Sequence, residues 1–546
     1  MPKFKFVYLF FVLTLHLNAQ VKPEFIWPLD SPRVITGNFG EIRPNHFHTG
    51  LDFSTNGKEN LQVYAIEEGY VSRIKISSTG YGKVLYITHH NGKTSVYAHL
   101  NEFSLKINRE LREEQNAKLS YEVDFYLRPY HVFVNRNEII GLSGNTGAST
   151  GPHLHFELRD EKTEMPLNPL TVYHFPDHTA PVLEQIAFYN LEDTLNPQLL
   201  QVLPASRLNQ SADTFELSSP VLALAFNAYD QCVESGNHNN VYAMRLNLDT
   251  SPYFEQHLDK IDFRDNRYAN EYAEYHQRAK LQKCFLPEYY PAYLYGSCRN
   301  KGRLLFQDNK AHKLDISMSD ESGNSTALRF YIRSSRPGSY KPLSISADSL
   351  VNCLRDTVIH QAGLTLYLPA YSFFHSFLPR FENKIESSGI LRIEPSALNL
   401  RNAVQLAIPI PASQRKVAEH LVLRSSGQVY CPQQRNDSLL FPIRNFGSFT
   451  LLTDRQAPSA KTSPVRRGRI LHNGTTLRFR IEDDLSGIAN YRLFINDAWV
   501  PAEFDLKSNN LTYTFDESSP TGTLRIRLEL SDRANNSSAY DYIMKR

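Results

Sequence analysis

Residues 144–158 read GNTGASTGPHLHFEL, a Gly-rich turn that runs into a short stretch of alternating polar and apolar residues. Such alternation marks a half-buried β-strand, because successive side chains point to opposite faces. His153, His155 and Glu157 are therefore expected on one face, with Leu154, Phe156 and Leu158 turned into a core. Two imidazoles at this spacing let one ring bind a metal while its neighbour handles a proton or an oxyanion. Working towards the N-terminus, SVYAHLN at 95–101 adds His99, and NHFHTGLDFS at 45–54 adds His48 and Asp52. Tyr97 and His99 repeat the two-residue spacing and are expected on one strand face.

A catalytic zinc ion usually takes three protein ligands and leaves a fourth position to water, so such a site needs three ligands and a separate acid–base group. Four imidazoles and one carboxylate supply that set. The chain contains no HExxH, in which a helix-borne glutamate serves as base, so proton transfer falls to histidine. An isolated HxH is usually an exposed or satisfied pair, and an isolated HxxxD says less. The signal lies in three such segments arriving in a fixed order.

That order, with HTGLD, YAHL, GNTG and then HLHFEL, resembles the zinc metallopeptidase family M23 of lysostaphin and LytM type, whose members cut peptide bonds in bacterial peptidoglycan. The resemblance spans about residues 28–172 and implies an antiparallel-sheet fold. It also implies one zinc ion held by His48, Asp52 and His155, and a catalytic pair, His99 and His153. One imidazole of the pair accepts the water proton and the other stabilises the tetrahedral oxyanion, in an assignment the sequence leaves open. Every such position is filled, which favours an endopeptidase acting on the stem or cross-link of peptidoglycan. The runner-up is a non-catalytic wall-binding scaffold or an activator of another cell wall hydrolase. An insertion at about 103–130 departs from the family, and its LKINRELREEQNAKL stretch has helical composition. It is expected beside the substrate groove. His46, His89 and His90 read as surface histidines or as histidines standing behind the ligands, Glu157 as a solvated strand carboxylate or a ligand-orienting partner, and Arg43 as a fork for a substrate carboxylate or the mate of a nearby acid.

The 546 residues exceed one ordinary core and suggest roughly three to four domains. A formal net charge of +2, with charges dispersed, offers no nucleic-acid groove. Lys3 and Lys5, an apolar run from Phe6 to Leu17 and a small residue at Ala19 read as a signal peptide over 1–19. The mature chain is then expected to start near Gln20 or Val21, with no later membrane span, in the periplasm, the envelope or outside the cell. Of five cysteines, Cys284 and Cys298 either bridge locally or remain buried thiols, beside Cys232, Cys353 and Cys431.

An internal echo organises the remainder. DHTAP at 177–181 matches DRQAP at 454–458, and SDESGNSTA at 319–327 matches SDRANNSSA at 531–539. Each of the latter stands between alternating strands, as a hairpin turn does. Two related Ig-like sandwiches are implied at 181–335 and 459–546, with another β-sandwich at 340–453. The Tyr-rich stretch FRDNRYANEYAEYHQRAKL at 263–281 reads as a long loop around its own sandwich, or as a contact surface for glycan or protein. The fold expected is all-β: an N-terminal lysostaphin-like domain with a helical insertion, then three β-sandwich modules that position the enzyme or recruit envelope proteins, with peptidoglycan peptides as the principal partner.

Overall fold

Alternation in HLHFELRD puts one strand at the centre of the first sheet. In the computed structural model, which describes residues 23–24, 26–194, 196–209, 214–231, 236–340, 350–462 and 470–546, this sheet has nine strands. The expected leader at 1–19 and Cys232 lie outside the described residues. The seven main strands are β1 (Ile35–Gly37), β2 (Leu51–Ser54), β3 (Gly69–Ile76), β4 (Lys83–His89), β5 (Lys93–Leu100), β6 (Asp124–Tyr126) and β7 (His153–Asp160). They lie in the antiparallel order β1-β2-β7-β5-β4-β3-β6. Leu154, Phe156 and Leu158 of β7 are fully buried among Phe53, Val71, Leu85, Ile87 and Tyr97. Each such side chain contributes about 1.5–3 kcal/mol relative to exposure.

Pairing registers carry the core pattern over to the opposite face. His155 lies across from Asp52 on β2 and from Ala98 on β5. Gly50 makes the β2 approach feasible: a Cβ there would stand 2.2 Å from the Phe156 carbonyl oxygen. The insertion forms the helix its composition predicts, α1 (Leu105–Lys118), with Ile107 and Leu111 in the core. It then supplies β6 at the sheet edge, separated from β5 by β4 and β3. Glu122, in the same segment, receives the hydroxyl of Tyr491 at 3.5 Å. The insertion thus touches the C-terminal sandwich.

Beyond residue 181 the sheets come in facing pairs: two of six strands within 182–334, two of five within 357–453, and two of four within 459–545. Each pair closes on its own apolar core, as with Leu224 and Phe226 of one sheet against Ile316 and Phe330 of the other. The echoed motifs are hairpin turns between β8 (His312–Ser319) and β9 (Ser325–Ser334), and between β10 (Thr523–Asp532) and β11 (Ser537–Lys545). In both, the Asp side chain accepts two turn amides: Ser322 and Asn324 onto Asp320, Ala534 and Asn536 onto Asp532. Cys284, Cys298, Cys353 and Cys431 are free thiols, so the local bridge is not made.

The Tyr-rich stretch is neither a plain loop nor an open contact face; it is a joint. Asn266 Oδ1 accepts the Phe47 N–H at 2.7 Å and Tyr272 packs edge-on to Phe47, tying it to the first domain. Asp265 receives Arg401 Nε at 2.7 Å and Glu271 pairs with His375 at 2.9 Å, tying it to the middle sandwich. Among the described residues no helix is long and apolar enough to cross a membrane.

Gly50→Ala should wedge β2 from β7 at an overpacking cost of about 1–3 kcal/mol. Native-state hydrogen exchange of the Leu154 and Phe156 amides should speed up accordingly, and unchanged protection there would contradict the close-approach account.

Candidate metal and active site

Three ligand-type atoms converge on the face of β2 and β7 opposite Leu154 and Phe156. His48 Nε2 and His155 Nδ1 are 2.9 Å apart, and Asp52 Oδ1 lies 3.0 Å from the first and 2.9 Å from the second. All three residues are buried. The remaining polar atoms of the set are already committed. His48 Nδ1 stands 2.7 Å from the Asn38 carbonyl oxygen, which can only accept, so Nδ1 carries the proton and Nε2 keeps its lone pair. His155 Nε2 donates to Glu157 Oε1 at 3.1 Å, and Asp52 Oδ2 receives Arg43 Nη2 at 2.5 Å.

The charge balance favours a cation. Burial opposes ionisation of Asp52, but His48, His155 and Arg43 hold its carboxyl well below the usual carboxylate range. Burial likewise lowers His48. His155 is driven the other way: its hydrogen bonds to Asp52 and Glu157 outweigh burial and raise it to about 9. The Nδ1 position where Asp52 draws a proton is the one a metal ion would take, with release of that proton.

His99 and His153 flank this triangle. Their rings are 4.8 Å apart, and His153 Nε2 lies 3.5 Å from Asp52 Oδ1. His99 Nδ1 is 2.8 Å from the Thr146 carbonyl oxygen and His153 Nδ1 is 2.8 Å from that of Gly151, so each ring holds its proton on Nδ1 and presents Nε2 as acceptor. Burial, then the neighbouring His155 and His153, push His99 down to about 3, which keeps it neutral.

The expectation that Tyr97 and His99 share a strand face is overturned. Between the pairs Leu85↔Tyr97 and Lys83↔Leu100, β5 holds one residue more than β4, and His99 has φ +59°. This bulge in the left-handed region interrupts the two-residue period. Tyr97 consequently points into the core, fully buried, with its oxygen taking the Ile66 N–H, while His99 turns to the site.

Glu157 is fully buried rather than solvated. Besides His155 it receives Thr49 Oγ1 at 2.7 Å, Arg159 Nε at 2.6 Å and the hydroxyl of Tyr81. Burial works against its charge, and Arg159 followed by His155 and Tyr81 hold it far below the ordinary range. Tyr81 also stacks on His155 at 5.1 Å between centroids. Thr49, Tyr81 and Arg159 were not singled out from sequence; Arg159 extends the i, i+2 period of His155 and Glu157 and was legible, whereas Tyr81 arrives from a separate turn. Arg43 is the mate of acids, Glu41 and Asp52. His46 is exposed, whereas His89 is buried between the Glu68 carbonyl and Ser95, a structural histidine and not a surface one. His90 packs on Tyr130.

Two loops of the site are held from other sandwiches. Asn38 and Asn240 exchange hydrogen bonds of 2.7 and 3.0 Å, fixing the loop whose carbonyl orients His48. Lys507 donates to the carbonyl oxygens of Asn145 and Ser149, in the turn that orients His99 and His153.

Known proteins match the first third of this chain. The model of peptidase family M23 matches residues 46–117 and 126–169. The first third of this chain thus matches peptidase family M23. A DD-carboxypeptidase/endopeptidase Mpg of Neisseria meningitidis is 34% identical over 125 residues, covering 23% of this chain and 22% of that protein. The peptidoglycan DD-endopeptidase ShyA of Vibrio cholerae is 30% identical over 138 residues, covering 24% and 26%. The chain thus spans about a quarter or less of the length of these curated relatives. Among solved structures, the catalytic domain of lysostaphin from Staphylococcus simulans aligns at 24% identity with a TM-score of 0.17, covering 24% of this chain and 86% of that one.

Glu157→Gln keeps the shape of the side chain while removing its charge. Competition with a chromophoric chelator should show metal affinity about 10–100-fold weaker with the fold retained; wild-type affinity would show that Glu157 merely packs.

Proposed function

We propose that the N-terminal domain is a zinc endopeptidase that hydrolyses peptide bonds in the stem or cross-link of bacterial peptidoglycan. The observation that carries this reading is the convergence of His48 Nε2, Asp52 Oδ1 and His155 Nδ1, with the other polar atoms of all three residues committed elsewhere. Two nitrogens and one carboxylate oxygen from three residues suit a catalytic zinc ion, for which a fourth position stays open. When bound there, zinc supplies the Lewis acidity that polarises a carbonyl and acidifies a water.

The chain's own residues do the rest. Glu157 holds His155 with Nδ1 inward, and Asn38 holds His48 with Nε2 inward. Thr146 and Gly151 set the tautomers of His99 and His153 so that both Nε2 atoms are acceptors. One of the pair takes the proton of the attacking water, and as an imidazolium it can return that proton to the leaving amine. Its neighbour takes a proton from solvent at Nε2 and donates that N–H to the oxyanion of the tetrahedral intermediate. The sandwiches, assigned to 181–335, 340–453 and 459–546, act as accessory modules that place this domain on the wall and hold its loops, and an exported location follows from such a substrate.

The test is mass spectrometry of purified cross-linked peptidoglycan after incubation with zinc-loaded protein. New peptide ends should appear with the native chain and vanish with chelator or with His155→Ala, which loses its metal. His99→Ala should keep stoichiometric zinc yet lose turnover by about 10²–10⁴-fold. Zinc bound, fold intact and no cleavage of several wall types would replace the enzyme with a wall-binding scaffold.

A further inference from the structure

Each sandwich that carries the echoed motif gathers three aspartates where the chain enters it. Asp177, Asp230 and Asp320 bring ligand oxygens within 4.8 Å of one another, and so do Asp454, Asp483 and Asp532. The members correspond one to one. Asp177 and Asp454 open the DxxAP segments, and Asp320 and Asp532 lie in the hairpin turns. Asp230 and Asp483 each follow directly on the strand that pairs with the entering one, after Val221–Tyr229 and Thr476–Glu482.

Acidic clusters are common on surfaces, but five of these six aspartates are buried, Asp483 is half-buried, and both triads are incompletely satisfied. Asp230 is 3% exposed and its Oδ1 has no donor; Asp483 Oδ1 is also without one. Ser486, 3% exposed, gives its N–H to Asp454 Oδ2 at 3.0 Å and leaves its hydroxyl unpartnered beside the second triad. Turn amides take up other oxygens: Asp483 Oδ2 receives the N–H groups of Leu485 and Gly487, and Asp177 Oδ1 that of Thr179. A buried carboxylate oxygen with no donor is costly, and carboxylates facing one another add repulsion. Burial, then Glu321, Asp177 and Asp320, push Asp230 up to about 8 against the N–H of Gln231. A cation would remove that penalty.

We propose that both triads are calcium sites that staple the entering chain to the sandwich it enters. With carboxylate oxygens as the ligands and neither sulfur nor imidazole in the set, each triad suits a hard cation, and calcium's loose six-to-eight-oxygen shell tolerates carboxylates delivered from three separate loops. The first site reaches the peptidase domain as well: Asn168 donates to Glu321 Oε1 at 2.7 Å, and Ser322 Oγ to the Phe175 carbonyl oxygen at 3.3 Å. The two sites differ most at the residue that follows the hairpin aspartate, by two units of charge. Glu321 follows Asp320 in the first, and Arg533 occupies the equivalent place after Asp532 in the second. The first is accordingly the tighter, by about tenfold, because negative charge beside the ligands strengthens calcium binding.

Calorimetric titration of calcium chloride into the full chain, stripped on a chelating resin and reloaded with one equivalent of zinc, tests this. Two sites should appear, and calcium should protect the junctions around 173–181 and 454–459 from proteolysis. Asp230→Asn should abolish the tighter site alone and leave the calcium-free unfolding midpoint equal or higher, since it removes a buried repulsion. Asp483→Asn should abolish the weaker site, and Glu321→Arg should bring the first down to the level of the second. Binding weaker than about 1 mM, the upper end for extracellular calcium modules, or binding that neither aspartate variant alters, overturns the proposal.

Discussion

One buried carboxylate carries the geometry of the candidate site. Glu157 is fully buried and takes hydrogen bonds from His155, Tyr81, Thr49 and Arg159. Desolvating a carboxylate costs several kcal/mol, and only a full set of donors with a close guanidinium offsets it. Once it is satisfied, His155 can point only Nδ1 at Asp52, and the convergence of His48, Asp52 and His155 follows. Hydrogen bonds to charged groups are worth about 1.5–3 kcal/mol each, so the network resists rotation of the His155 ring. The position on β7 that orients His155 is two residues away from it, on the same strand face.

The other histidines depend on backbone carbonyls, and those carbonyls belong to loops that the sandwiches hold. The loop of Asn38 is clasped by Asn240, and the 144–150 turn by Lys507. The 263–281 stretch binds the first domain and the middle sandwich at once, and His420 donates to the Ala534 carbonyl oxygen between the middle and last sandwiches. The chain therefore returns on itself, with the last sandwich touching the first domain through Lys83 and Glu503 at 2.9 Å. A site oriented by loops gains its rigidity from whatever fixes those loops.

Much of this was readable from local patterns. Alternation placed His153, His155 and Glu157 on one face and Leu154, Phe156 and Leu158 in the core, because strand geometry leaves little choice. The α1 composition and the hairpin turns were equally local. The failures share one origin. His99 leaves the face of Tyr97 because β5 carries a bulge, and nothing in VYAHL announces a residue at positive φ. Glu157 reads as solvated because carboxylates usually are; its burial is stabilised only through partners such as Tyr81 and Thr49 that stand far off in sequence.

The sequence by itself determined the residues capable of the chemistry, their order, the strand that presents two of them and the repeat that pairs the first and last sandwiches. These are consequences of side-chain type and of the two-residue period, which act over a few positions. Tertiary structure alone decided which nitrogen of each histidine faces inward, that Asp52 is braced by Arg43, and that six aspartates scattered between 177 and 532 collect into two triads. Hydrogen-bond direction and buried charge depend on atoms brought together across hundreds of residues, and only the folded chain sets those distances.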